Sequence, residues 1–123
     1  MNFTITKEHV EPDIVVVRLA GRLTLGRDSE DCESQITELI RQNEKKMVLD
    51  MTELSFMDST GLGIVATCSG KLRQAGGELC LAGLKGSVQK LFKVTGVERI
   101  FRIHATAAAA IEYFGGRAAG AGA

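Results

Sequence analysis

The chain has 123 residues, 45% of them hydrophobic, and its 15 basic and 15 acidic side chains balance to a formal net charge of zero. That length makes one domain able to bury a core without metal or disulfide, and the neutral balance leaves no electrostatic footprint for direct nucleic-acid or anionic-membrane binding. With no tryptophan, no apolar run near the roughly 18–20 residues of a membrane-spanning helix and no charged-then-apolar leader in residues 1–8, a soluble cytoplasmic protein is expected.

In chain order, Thr4-Ile5-Thr6 and residues 14–20 read as strands around the turn Glu11-Pro12-Asp13. Gly21 closes the second strand, and Leu23-Thr24-Leu25-Gly26 continues as a short extended or irregular piece. Residues 28–43 predict a helix, with Cys32, Ile36, Leu39 and Ile40 on one face and Asp28 or Ser29 as its cap. A short apolar strand follows over 47–51. The next helix, 59–74, places Leu62, Val65, Ala66, Ser69 and Leu72 inward and stops at Gly76-Gly77, as a left-handed cap requires.

Residues 78–82 predict a strand, and 87–94 a short helix built on Val88, Leu91 and Phe92 and stopped near Gly96. Residues 100–103 read as a last strand. A last helix over 107–114 turns Ala108, Ile111 and Phe114 inward. The Gly/Ala stretch 115–123 has little to bury and reads as a flexible tail after a single domain, 1–114. A hairpin followed by β/α alternation implies an α/β sandwich: a mixed sheet of four to five strands, parallel at the centre and antiparallel at the hairpin edge, with about four helices.

Cys32, Cys68 and Cys80 are odd in number and widely spaced, without the ligand spacing of a zinc site, so they read as buried reduced thiols. His9, near the hairpin turn, and His104, near a helix start, have no partner in the sequence that would make them bases or ligands. No metal and no cofactor is expected.

The most informative stretch is Phe56-Met57-Asp58-Ser59-Thr60-Gly61-Leu62-Gly63, a hydroxyl beside a carboxylate where a strand turns into a helix. Asp58 or Ser59 falls at or near the N-cap, where a side-chain oxygen satisfies unpaired backbone N–H groups. The end of the helix also accepts an anion. The stretch is not a phosphate-binding P-loop, because Gly61-Leu62-Gly63 lacks the spacing and the lysine. It is not a dinucleotide fingerprint, because Ala66 stands where the third glycine belongs. Nor is it a hydrolase elbow, because Met57 precedes Ser59 by two. No complete catalytic set is present, and an enzyme is not expected. What remains is a cap or a regulatory phosphate, which would add about −1.5 to −2 charge to a surface otherwise suited to docking.

Three stretches together resemble the STAS domain of bacterial anti-sigma factor antagonists. They are residues 48–63 with Asp58-Ser59-Thr60-Gly61, residues 76–84, and residues 88–101 with Val88-Gln89-Lys90-Leu91-Phe92-Lys93-Val94-Thr95-Gly96-Val97. The resemblance spans residues 3–114 and implies a STAS-like sandwich. It also implies a partner switch. The unphosphorylated protein binds an anti-sigma factor serine kinase with a histidine-kinase-like ATPase fold and frees a sigma factor; the kinase phosphorylates Ser59, and a serine phosphatase resets it. By the same resemblance Asp58 orients Ser59, Thr60 is a secondary acceptor, and Gly61 and Leu62 belong to the docking surface. Thr24 stands where the family commonly has an acidic residue of a G-x-L-D run near the partner; here the run is Gly21-Arg22-Leu23-Thr24. The alternative is a constitutive STAS scaffold subunit of a signalling or envelope-lipid transport complex, with Ser59 mainly a cap.

Overall fold

The structure is a computed structural model that describes residues 2–116. Five strands form one sheet in sequential order: β1 (Thr4–Val10), β2 (Ile14–Leu23), β3 (Lys46–Met57), β4 (Glu78–Ala82) and β5 (Arg102–His104). β1 and β2 form the antiparallel hairpin, and every other pairing is parallel. The helices α1 (Arg27–Arg41), α2 (Ser59–Gln74) and α3 (Gly86–Val94) make the crossovers, and α4 (Ala107–Tyr113) follows β5. With neighbouring strands consecutive and crossovers of one hand, all three crossover helices fall on the same face. Cys32, Ile36 and Leu39 of α1, Leu62, Val65, Cys68 and Leu72 of α2, and Val88 and Phe92 of α3 therefore share one core with Val15, Val17, Leu19 and Met47 of the sheet. On the opposite face, among the described residues, α4 is the helix that covers Ile14, Val16, Val48, Cys80 and Ala82. The expected α/β class and mixed sheet are what is found.

The largest departure from expectation is β3, which runs on past residue 51 to Met57. Its inward residues are Met47, Leu49 and Met51, then Leu54, then Met57. Two steps of three replace the period of two because β3 carries two extra residues relative to β2: Arg18 and Ala20 pair with Asp50 and Glu53, and Gly21 and Arg22 with Leu54 and Phe56. Side chains fill both irregularities. Asp50 accepts from the N–H of Thr52 at 3.0 Å and from its hydroxyl at 2.6 Å, and the Ser55 hydroxyl donates to the Gly21 carbonyl at 2.9 Å. β2 likewise continues through Gly21 to Leu23. The glycine is needed there because the Asn2 carbonyl occupies the place of a side chain.

Smaller differences have local causes. α1 ends at Arg41 because Asn43 turns left-handed (φ 72°) and Asn43 and Glu44 donate to the carbonyls of Ile40 and Leu39, closing a Schellman cap. At its start Gly26 is the N-cap, and Ser29 is the third helical residue rather than the cap. Gly76 and Gly77 close α2 in the same way, through Arg73 and Leu72; Cys68 rather than Ala66 lies on its buried face. Residues 97–100 form a turn of 3-10 helix that leaves Ile100 exposed, so the last strand starts at Arg102. Thr106 caps α4, accepting from the Ala109 N–H at 3.1 Å. This sets Ala107, Ala110, Ile111 and Phe114 inward and turns Ala108 out. The expected tail lies outside the described residues from 117 onward.

All three cysteines are free and fully buried. Desolvation pushes the Cys32 and Cys80 thiols up to about 12 and Cys68 up to about 11, which removes the reactive thiolate. A chromogenic disulfide reagent at pH 8 is therefore expected to leave all three unmodified in the native protein and to titrate all three in denaturant. Rapid native labelling of any of them would contradict this burial.

Candidate functional site

The parallel ends of β2 and β3, where Leu23 pairs with Met57, bring the loop before α1 against the first turn of α2. Asp58 stands between them. Its backbone is extended and its carboxylate is the N-cap of α2, with one oxygen accepting from the Gly61 N–H at 2.9 Å. The other accepts from the N–H of Leu25, also at 2.9 Å. One carboxylate thus ties two segments that are far apart in sequence.

Partial burial pushes the Asp58 carboxyl up, but the N–H groups of Gly61 and Leu25, with Thr60 behind them, favour the carboxylate and leave its pKa below the ordinary 3.8. A group whose pKa is depressed on folding stabilises the fold above its unfolded pKa, and that contribution is lost as pH falls through the folded value. The stability difference between wild type and Asp58→Asn, read by urea denaturation, is expected to be constant at neutral pH and to shrink as pH falls below 3.8. A pH-independent difference would mean that the carboxylate charge is not used.

Ser59 is the first helical residue of α2; it is exposed, and its hydroxyl makes no hydrogen bond among the described residues. Thr60 beside it is half-buried. Gly61 and Leu62, expected at the docking surface, lie beneath it. A side chain at Gly61 would stand 2.8 Å from the Leu23 carbonyl and 2.9 Å from the Met57 side chain, so the glycine is what lets α2 seat on the strand ends. Leu62 is 8% exposed and belongs to the core. Both positions, expected at the docking surface, are thus turned towards the core rather than solvent. Thr24 is half-buried in the loop that Asp58 tethers, next to Leu25.

No motif in the sequence marks the rest of the residues around Ser59. Leu25 is 77% exposed. The Arg22 guanidinium lies over the Phe56 ring at 4.4 Å from its centroid. Over the first turns of α2 the exposed residues after Ser59 are Gly63, Ala66 and Thr67, a smooth, uncharged flank; the charged Lys71 and Arg73 are exposed only towards its end. Helical spacing alone could have indicated that flank, because Ser59, Gly63 and Ala66 fall at i, i+4 and i+7.

The family model described as the STAS domain matches residues 6–110. The anti-sigma-B factor antagonist of Listeria monocytogenes is 34% identical over 108 residues, covering 84% of this chain and 90% of the relative. The chain belongs to the STAS-domain family of anti-sigma factor antagonists. Among solved structures, the Bacillus cell fate determinant SpoIIAA in its phosphorylated form is similar at a TM-score of 0.72 and 28% identity, covering 90% of this chain and 99% of that one. The anti-sigma factor antagonist SpoIIAA in its unphosphorylated form is similar at 0.71 and 25%, covering 90% and 97%. Members of the STAS antagonist family are regulatory rather than catalytic, and they work with anti-sigma factor kinases and phosphatases in partner-switching systems. No helix among the described residues is long and apolar enough to cross a membrane.

Proposed function

We propose that this STAS antagonist is switched at Ser59. In the unphosphorylated state the α2 flank and the adjoining loop dock on an anti-sigma factor serine kinase with a histidine-kinase-like ATPase fold, which then releases its sigma factor. Transfer of a phosphoryl group to Ser59 ends the complex, and a serine phosphatase restores it. The observation that carries the reading is the position of Ser59: exposed, unbonded, and first in a helix whose initial turn holds no charged side chain. The positive end of the helix tolerates the added anion, while a partner packed on the flank would meet a solvated dianion. The switch then needs no refolding. The near-equal similarity of this fold to SpoIIAA in both forms agrees with that.

The scaffold alternative, in which Ser59 serves mainly as a cap, draws no support from the geometry, because Asp58 supplies the cap. The test is to incubate the purified chain with ATP and each purified anti-sigma serine kinase from the same genome, and to locate phosphate by mass spectrometry. The expected result is modification at Ser59, lost in Ser59→Ala. Stable binding with no phosphate on Ser59 would return the scaffold reading.

A further inference from the structure

We infer that Leu25 is an apolar anchor of the surface that docks the kinase, and that Asp58 is the positioning residue that holds it in place; this rests on the reading of Ser59 above. Among the described residues Leu25 is the most exposed large apolar side chain, yet the chain around it is fixed from both sides. Its N–H is bound by Asp58 at 2.9 Å. The next residue, Gly26, has φ 134° and ψ −154°, a conformation essentially confined to glycine. Ser29 then clamps Gly26 twice, accepting from its N–H at 3.1 Å and donating to its carbonyl at 2.8 Å. An apolar side chain held out into solvent by a rigid loop gains nothing for folding. Presented to a partner it loses little conformational freedom on being buried, which is the property of an interface anchor.

The occupant follows from continuity. The residue that tethers Leu25 is the immediate neighbour of Ser59, and the same carboxylate caps the helix that Ser59 begins. A partner close enough to transfer phosphate to Ser59 therefore lies within reach of Leu25, and its matching surface must offer an apolar recess there. The coupling also runs the other way. A dianion on Ser59 repels the Asp58 carboxylate and competes for the free N–H groups of the same helix end, so the modification that blocks the flank also loosens the anchor.

The experiment uses the full chain, and its probe is the purified anti-sigma kinase that modifies Ser59 in the assay above. Affinities are measured by calorimetry for wild type, Leu25→Ala, Asp58→Asn and the double variant, with the exchange rate of the Leu25 amide followed by NMR in the chain alone. Leu25→Ala is expected to weaken binding by about tenfold or more with its thermal unfolding unchanged, because the side chain is exposed. Asp58→Asn is expected to speed Leu25 amide exchange and to weaken binding. The double variant should bind more tightly than the product of the two single losses predicts, because both act on one anchor. Two effects that simply multiply, or an unchanged Leu25 amide, would reduce Asp58 to a helix cap and overturn the positioning role. Should Leu25→Ala bind within about twofold of wild type while phosphorylated chain does not bind, the anchor is wrong and the Ser59 switch stands. A genome whose kinases neither bind nor modify the chain would remove the switch and the anchor together.

Discussion

Ser59→Asp is expected to lose most of its binding to the partner kinase, on the order of a hundredfold or more, while its folded state becomes slightly more stable. The two effects have opposite signs for separate reasons. At the interface, an unpaired carboxylate pressed against a partner that was built for a neutral hydroxyl must be desolvated without compensation, which costs several kcal/mol. Within the protein, Ser59 is exposed and unbonded at the first position of α2, so the substitution breaks nothing. A negative charge there gains about 0.3–1 kcal/mol from the helix end, reduced by repulsion from Asp58. Calorimetric binding and thermal denaturation on the same sample separate the two. A variant that binds like wild type would sink the interface switch, and one that loses both binding and stability would point to a structural role for the serine. Ser59→Ala should bind and remain bound in the presence of ATP.

Phe92→Ala is expected to cost about 3–5 kcal/mol, enough to bring a domain of ordinary stability, about 5–15 kcal/mol, close to unfolding. Phe92 is almost wholly buried, and its ring meets Phe101 edge to face at a centroid distance of 5.7 Å and an angle of 62°. It joins α3 to the core that α1 and α2 also enter, so its removal leaves a void that three elements cannot jointly collapse. Two residues along the same helix Val94 is 71% exposed, and Val94→Ala should stay within about 0.5 kcal/mol. Urea denaturation of the pair checks both. A loss below about 1.5 kcal/mol at Phe92 would mean that α3 is not packed as described.

Continuous apolar runs make β2 and β4 legible along the chain, and the helical spacing of apolar residues makes α2 so, because in those segments the local pattern and the burial agree. Such patterns fail where side-chain hydrogen bonds reset the period. Residues 51–57 lose their alternation at the two irregularities that Asp50 and Ser55 fill, so the second half of β3 does not read as strand. The candidate site divides in the same way. Asp58 and Ser59 are contiguous, and their place at the helix start is a local matter of capping. Leu62 is easily misplaced, because proximity to Ser59 in sequence says nothing about which side of the helix it takes. Leu25 is invisible to such patterns because the bond that makes it part of the site spans 33 residues, and nothing along the chain encodes it.

The two halves of β3 are supported differently. β4 flanks only Lys46–Asp50, and beyond that the strand is paired with β2 alone, its other edge met by the Ser87 hydroxyl donating to the Ser55 carbonyl at 3.1 Å. In mechanical terms the turn bearing Ser59 is the free end of a cantilever. β2 and β3 finish in register and Asp58 bolts the following loop to the following helix, so flexing of this beam would carry Leu25, Asp58 and Ser59 together. Under the proposed switch, such a tilt would fit the whole patch to a partner without changing its internal spacing.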